Sequence, residues 1–151
     1  SATVTMAAPI IPLLGRTGLA ASLFDKAPVD FLEGRSLDSL ALTTERALAA
    51  LAEFLSYGRP VVHCTEEQDK CTLQVVVSDR PFIVATIAET VRTAGSDVRY
   101  LLHPILRENG SLVSCCYLEI DLLVAVKCEA LVQALEEALG DLDDVHLPGA
   151  F

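Results

Sequence analysis

The chain has 151 residues, 52% of them hydrophobic, and its formal net charge at pH 7 is -10. An acidic surface is repelled by nucleic-acid phosphates and by anionic lipid headgroups, so the composition predicts neither a nucleic-acid partner nor a membrane partner. The sequence contains no apolar run of about 20 residues, which a membrane-spanning helix needs. The length suits one domain with an appendage.

The N-terminal region is irregular and predicts an arm that docks on another part of the structure. Residues 1–14 are apolar, but they begin without basic residues and contain two prolines, unlike a signal peptide. We therefore expect a cytoplasmic protein. A short helix is predicted over residues 17–24, with Leu23 and Phe24 on its apolar side.

A longer helix is predicted after this arm. Ser36 can cap its first turn, hydrophobic residues recur at helical spacing, and Gly58 is a typical terminator. The chain is accordingly divided into an arm with a helix, residues 1–58, and an α+β unit, residues 59–151.

The first half of the sheet is predicted from a hairpin and the helix after it. A short strand is predicted at residues 60–65 and a second strand, which alternates, at residues 71–77, with a short acidic turn between them. Asp79 is expected to cap the next helix, in whose first turn Pro81 is tolerated because that position has no helical hydrogen bond to lose. Gly95 should end this helix.

The second half of the sheet is predicted from another hairpin and the last helix. Asn109-Gly110 is a strong two-residue turn signal between strands at residues 98–106 and 112–122. A helix over residues 128–139 follows, with hydrophobic residues on one side.

The order of these elements predicts the fold. From Cys71 onward it is strand, helix, strand, strand, helix, which is the ferredoxin-like pattern without its last strand. The strand at residues 60–65 would fill the missing place, because a hairpin sets it beside residues 71–77. We predict an α+β fold with a four-stranded antiparallel sheet in the order 60s, 70s, 110s, 100s. The helices beginning near Arg80 and Cys128 should cover one face.

The opposite face of this sheet is expected to be too apolar to remain in water. The helix from Ser36, the N-terminal arm or a second subunit must cover it, which makes this face the main indication of a partner surface. The residues assigned to it are Val76, Leu101, Ile105, Val113, Cys115 and Tyr117.

Three short motifs carry a family resemblance, and they occur in the order Asp79-Arg80-Pro81-Phe82, Leu102-His103-Pro104-Ile105-Leu106 and Leu118-Glu119-Ile120-Asp121. Together they resemble the N-terminal region of the large NAD-dependent glutamate dehydrogenases of bacteria. The turn with Asp and Pro between a strand and a helix is similar to that of ACT domains. The resemblance covers residues 27–140 and implies the first ACT-like domain of a multidomain oxidoreductase.

This resemblance implies that the catalytic and nucleotide-binding parts lie downstream. The chain has no G-x-G-x-x-G fingerprint, so no NAD and no other cofactor is expected to bind it. We expect a non-catalytic regulatory or assembly domain that contacts copies of itself or neighbouring domains, with an amino acid as a possible effector. The alternative is a free-standing amino-acid-binding module. A small enzyme ranks last, because no set of nucleophile, base and oxyanion site is visible.

The candidate ligand-binding residues are Asp79, Arg80, Pro81, Phe82 and His103. The start of the helix near Asp79 could bind a carboxylate through its N–H groups, or it could be a capped helix start alone. Related ACT domains often have Gly at the position of Phe82, so Phe82 is interpreted as a core plug. His103 is either a ligand-side hydrogen bonder or an ordinary sheet residue.

The five cysteines are odd in number and include no C-x-x-C, which favours buried, reduced thiols. Cys64 and Cys71 are expected to lie near each other across the first hairpin. A zinc site completed by Cys115 and Cys116, or a disulfide, is the alternative, but the spacing matches no standard zinc pattern. Cys128 begins a helix, where the pKa of a thiol can fall. We assign no metal ligand and no catalytic residue.

Overall fold

The computed structural model describes residues 22–145, so most of the helix predicted over residues 17–24 lies outside the described residues. No described helix is both long and apolar enough to cross a membrane. The helices are α1 (Val29–Leu32), α2 (Leu37–Tyr57), α3 (Ile83–Thr93) and α4 (Ala125–Val145). The strands are β1 (Val61–Glu66), β2 (Lys70–Ser78), β3 (Val98–Leu102), β4 (Ile105–Glu108) and β5 (Ser111–Asp121).

The strands form one antiparallel sheet in the order β1-β2-β5-β3, with β4 also paired to β5. This confirms the predicted α+β class, the first hairpin and the order of the strands. The sheet has five strands instead of four, because the predicted strand 98–106 is interrupted at His103 and Pro104. Proline has no N–H for the ladder and restricts the residue before it, which explains the break.

The second hairpin forms as the sequence predicts. Asn109 and Gly110 alone separate β4 from β5, and their φ angles are 52° and 83°. Positive φ at both positions of a two-residue loop matches the right-handed twist of the paired strands.

Helix α2 begins and ends at the predicted residues. The Ser36 side chain accepts a hydrogen bond from the Ser39 N–H, and Gly58 adopts a left-handed conformation at the C-cap. The N–H of Gly58 donates to the carbonyl of Phe54 at 2.7 Å. Both caps satisfy groups that the helix cannot satisfy internally.

One face of the sheet packs against α3 and α4, as expected. Alternate residues of β5 point to opposite faces, and Cys116, Leu118 and Ile120 point to this one. We call this layer the α3/α4 core. Its largest fully buried members are Leu73, Ile83, Ile87, Leu118, Ile120, Leu131 and Leu135.

The other face packs against α1, α2 and the segment before them. The sequence left open whether the N-terminal arm, the helix from Ser36 or a second subunit covers this apolar face. In the structure the arm and the helix cover it. We call this layer the arm core. It includes Leu23, Phe24, Phe31, Leu40, Leu51, Val76, Val113, Cys115 and Tyr117.

Two residues assigned to the arm side of the sheet were placed wrongly. Leu101 pairs with Leu118 and packs on the α3/α4 core, and Ile105 pairs with Ser114 and is 47% exposed. A register shift between Val98 and Tyr100 reverses the alternation along β3. A β-bulge of this kind adds one residue to one strand and exchanges its faces.

A buried ion pair fastens the arm to the sheet. The guanidinium of Arg35 donates to both carboxylate oxygens of Glu119, at 2.5 and 2.7 Å, and the Tyr117 hydroxyl donates to the same carboxylate at 2.6 Å. The ammonium of Lys70 lies 3.3 Å from it. Burial alone would raise the pKa of Glu119, but the hydrogen bonds from Arg35 and Tyr117 hold this pKa below its ordinary value.

Candidate functional site

The segment between β2 and α3 was predicted as a helix start, and the structure places that start later. Asp79 was expected to be the cap, but its N–H donates to the carbonyl of Leu112 at 2.9 Å, and the N-cap of α3 is Phe82. Pro81 therefore precedes the helix instead of lying in its first turn. Because a proline disfavours helical backbone at the residue before it, Arg80 cannot begin a helix.

Phe82 was interpreted as a core plug, and this is wrong. Its backbone has a φ of 73° and its side chain is 73% exposed, whereas the next residue, Ile83, is buried. A left-handed residue with a β-carbon is strained by about 1–2 kcal/mol. The left-handed conformation directs the ring away from the stripe of α3 that enters the core.

Two further apolar side chains are exposed on the β4–β5 hairpin, which is hydrogen-bonded to the segment before Phe82. Ile105 and Leu112 are 47% and 42% exposed. Ile105 lies opposite Ser114, two residues from Leu112, so the two side chains share one face of the β4–β5 hairpin. The carbonyl of Leu112 also accepts the hydrogen bond from the N–H of Asp79, in the segment that leads into α3. We call Phe82, Ile105 and Leu112 the Phe82 corner.

His103 lies at the break between β3 and β4, where its side chain contacts Ser114 of β5. Its Nε2 is 2.6 Å from the hydroxyl of Ser114, which in turn is 3.5 Å from the sulfur of Cys116. Burial lowers the pKa of His103, and the negative charge of Asp79 opposes this shift only in part. The lowered pKa of His103 favours its neutral imidazole form.

Asp79, His103 and Ser114 resemble a catalytic triad, with Ser114 as the nucleophile and His103 as its base. A substrate could not reach Ser114, however. The Ser114 side chain is fully buried. A nucleophile has to reach the reacting atom of a substrate, and the buried hydroxyl of Ser114 has no such access in this structure.

A groove lies beside the same break between β3 and β4. It has a volume of about 300 Å³ and carries charges of both signs. Its walls come from the segment before α1 and from the break itself: Ser22, Leu23, Asp25, Lys26, Leu101, Leu102, His103, Pro104 and Ile105.

The five candidate residues thus separate into two groups. Asp79 and His103 interact electrostatically, with Ser114 between His103 and the core. Phe82 and Pro81 are exposed, and Arg80 is partly buried. Sequence reasoning missed Ser114 and Leu112, although a serine in an otherwise apolar strand is a usable signal for a buried polar contact.

Cys64 and Cys71 lie near each other, as expected across the first hairpin, but the spacing did not predict that Cys128 joins them. Cys64, Cys71 and Cys128 have their sulfur atoms within 4.8 Å of one another. Cys115 lies in the arm core and Cys116 lies near His103, so neither completes this cluster. Burial raises the pKa of Cys128 to about 11, opposite to the expected fall. All five cysteines are free thiols.

Comparisons of the chain with protein families, with curated proteins and with solved structures found no match.

Proposed function

We propose that this chain is a non-catalytic assembly and regulatory domain of a larger dehydrogenase, of the ACT-like kind that begins the large NAD-dependent glutamate dehydrogenases. The observation that carries the proposal is the Phe82 corner. An exposed aromatic side chain on a left-handed backbone gives the isolated chain no stability, and strain of this kind is concentrated at functional positions.

Because both faces of the sheet are covered, we expect a partner to bind at the Phe82 corner. The α3/α4 core and the arm core already occupy both faces, so a partner would have to meet an edge or an end of the sheet. Among the described strands, β1, β3 and β4 are each paired on one side only, and the unpaired edge of β4 is the one next to Ile105. An exposed edge can pair with a strand of another chain.

The energy of such a contact is favourable at Phe82. Covering an exposed phenylalanine side chain stabilises a complex by about 1.5–3 kcal/mol. Aromatic residues are frequent among the few that dominate the energy of an interface. The strain at Phe82 is present before binding, so the ring is already directed outward when a partner arrives.

The buried Ser114 hydroxyl supports a non-catalytic role. Burial also raises the pKa of Cys116 to about 11 and that of Cys115 to about 12, so these thiols are protonated and poorly nucleophilic at pH 7.

Light scattering across a concentration series tests the assembly role. We expect the mass of the chain to rise with concentration, and Phe82→Ser to suppress this rise. Tyr57→Ser is the matched control, because Tyr57 is an aromatic residue of similar exposure at the end of α2. A chain that stays monomeric, and that also fails to bind the downstream domains of its polypeptide, contradicts the proposal.

The groove beside His103 favours a second function, the binding of a free amino acid. Asp25 and Lys26 offer opposite charges to the ammonium and carboxylate of such a ligand. An amino acid at about 100 times its dissociation constant should stabilise the fold by about 2.7 kcal/mol. A thermal-shift screen of amino acids in which none raises the unfolding temperature would rule this function out.

A further inference from the structure

Three thiols meet at the end of the sheet that lies away from the Phe82 corner. The sulfur atoms of Cys64, Cys71 and Cys128 all lie within 4.8 Å of one another, and those of Cys71 and Cys128 are 3.4 Å apart. Cys71 is near the start of β2, whereas the Phe82 corner follows the end of that strand. The two sites are therefore separate, and the argument for one does not depend on the other.

The fold brings these thiols together from three different elements. In the β1–β2 register Cys64 lies opposite Leu73 and Cys71 lies opposite Glu66, so the two cysteines are diagonal neighbours on one face. Cys128 is the fourth residue of α4, which packs on that face. The chain positions are 64, 71 and 128, which is why no sequence motif is visible.

The spacing of the sulfur atoms fits a single metal ion between them. A tetrahedral zinc ion has Zn–S distances of about 2.3 Å, which sets its sulfur ligands about 3.8 Å apart. The observed separations of 3.4 Å and up to 4.8 Å lie on either side of this value. Small rotations of the side chains would equalise them.

The cluster of thiols is accessible to solvent on one side. Cys71 and Cys128 are buried, and Cys64 is only half-buried, which gives solvent access on one side. The thiol of Cys128 donates to the carbonyl of Leu123 at 3.3 Å, and this hydrogen bond is given up when the thiol binds a metal as a thiolate. Cys128 lies in the first turn of α4, where the helix dipole opposes, without overcoming, the cost of burying a thiolate.

We propose that Cys64, Cys71 and Cys128 bind one Zn²⁺ ion as thiolates, with a water molecule as the fourth ligand on the exposed side of Cys64. Soft thiolate ligands select Zn²⁺ and Cu⁺ among the common metals. Three thiolates carry three negative charges, and a divalent ion offsets two of them where a monovalent ion offsets one. The ion joins the β1–β2 hairpin to the start of α4.

Binding of the ion must release protons. A thiol with its ordinary pKa of about 8.5 is mostly protonated at pH 7. Thiols bind metals as thiolates, so binding displaces their protons and strengthens as the pH rises. Protons should therefore leave the site as each ion binds.

The first experiment uses the full chain, reduced and freed of metal by a chelator. Titration with Cd²⁺ should produce an ultraviolet thiolate-to-cadmium charge-transfer band that saturates at one ion per chain. Added Zn²⁺ should remove the band by competition. A pH indicator dye should record the protons that are released.

Substitutions locate the site. Cys64→Ser should weaken binding of Cd²⁺ and Zn²⁺ by about tenfold or more, since ligand losses exceed the effects of outer-shell changes. Cys64 is only half-buried, so this variant should remain folded, which circular dichroism checks. Cys115→Ser is the matched control, because Cys115 is a buried thiol on the opposite face of the sheet.

Several results would overturn the proposal. These are a chain that gives no charge-transfer band, a band of equal strength in Cys64→Ser and in the parent, and an equal loss in Cys115→Ser. Binding of Cu⁺ without binding of Zn²⁺ or Cd²⁺ would contradict the choice of ion. Oxidation of Cys71 and Cys128 to a disulfide by dissolved oxygen, with Zn²⁺ present in excess, would show that the thiols pair instead of binding metal.

Discussion

Phe82 has two features that oppose stability in the isolated chain. Its φ of 73° is costly for a residue with a β-carbon, and its ring is 73% exposed. The backbone around it is determined by its neighbours, because Pro81 restricts the turn and Ile83 must enter the core. The strain and the exposure therefore persist together, as expected for a side chain reserved for a partner.

Replacing this residue by glycine should separate stability from assembly. We predict that Phe82→Gly raises the free energy of unfolding by about 1 kcal/mol, because glycine accepts the left-handed conformation without strain. Urea unfolding monitored by circular dichroism measures the change. Phe82→Ala loses the same ring but retains the strained backbone, so it should gain nothing. A glycine variant less stable than the alanine variant would contradict this account of Phe82.

Glu119 is the other residue whose environment is unusual. Its carboxylate is 2% exposed and is held by Arg35, Tyr117 and Lys70. A buried carboxylate needs such partners, because an unpaired charge in a protein interior is strongly destabilising.

The lowered pKa of Glu119 predicts how stability depends on pH. The unfolded carboxyl takes up its proton near pH 4.3, above the folded pKa, so its contribution is complete above that pH and is lost as the pH falls through the folded pKa. Glu119→Gln should cost about 3 kcal/mol at pH 7. The difference from the parent should shrink toward pH 3.

The control for this prediction is Glu89→Gln. Glu89 pairs with Arg92 on the exposed surface of α3, where an ion pair contributes little. Urea midpoints at several pH values decide the comparison. A Glu119→Gln deficit that stays constant down to pH 3, or one no larger than that of Glu89→Gln, would show that the carboxylate contributes no ionic stabilisation.

Single residues were predictable where the cause is local. The caps Ser36 and Gly58 are determined by their own helix, and both predictions are confirmed. The partner of Glu119 was not predictable, because Arg35 is 84 residues away in the chain. Phe82 was misinterpreted for a similar reason: its exposure depends on a turn whose geometry the sequence does not display.

At the scale of elements, the β4–β5 hairpin depends on its two-residue turn. Gly110 has a φ of 83°, a conformation that other residues avoid, and an added β-carbon there would have open space. Any cost of substitution at this position therefore comes from the backbone and not from a clash.

Two glycine substitutions should have opposite effects. We predict that Gly110→Ala lowers the free energy of unfolding by about 1 kcal/mol, because alanine resists a positive φ. Gly140→Ala should raise it by a similar amount, because Gly140 lies within α4 and an added β-carbon has open space there. Urea unfolding measures both. Effects of equal sign would contradict the backbone explanation.

The elements themselves were largely predictable, and their irregularities were not. Alternating hydrophobicity and the Asn109-Gly110 turn identified the strands of both hairpins. The bulge near Tyr100 and the break at His103 were missed, because the alternation of hydrophobic residues in the sequence shows no interruption at either position. These irregularities explain the errors at Leu101 and Ile105.

At the scale of the whole molecule, one sheet separates two cores, and the second core needs the arm. Leu23, Phe24, Phe31 and Leu32 are buried there together with residues of α2 and the sheet. The boundary predicted at residue 58 therefore crosses a shared core. Phe31 is central to it, since its ring lies 6.3 Å from that of Phe24 and 5.3 Å from that of Tyr100.

A comparison of two substitutions in α1 tests whether the arm belongs to the folding unit. Phe31→Ala should cost about 3–5 kcal/mol, because it removes a fully buried ring and leaves a cavity. Val29→Ala, in the same short helix but 65% exposed, should change stability by about 0.5 kcal/mol or less. Urea unfolding should show one transition in both variants. If Phe31→Ala instead matched Val29→Ala, or if its unfolding divided into two transitions, the arm would be a weakly docked appendage and the sheet would fold with its other core alone.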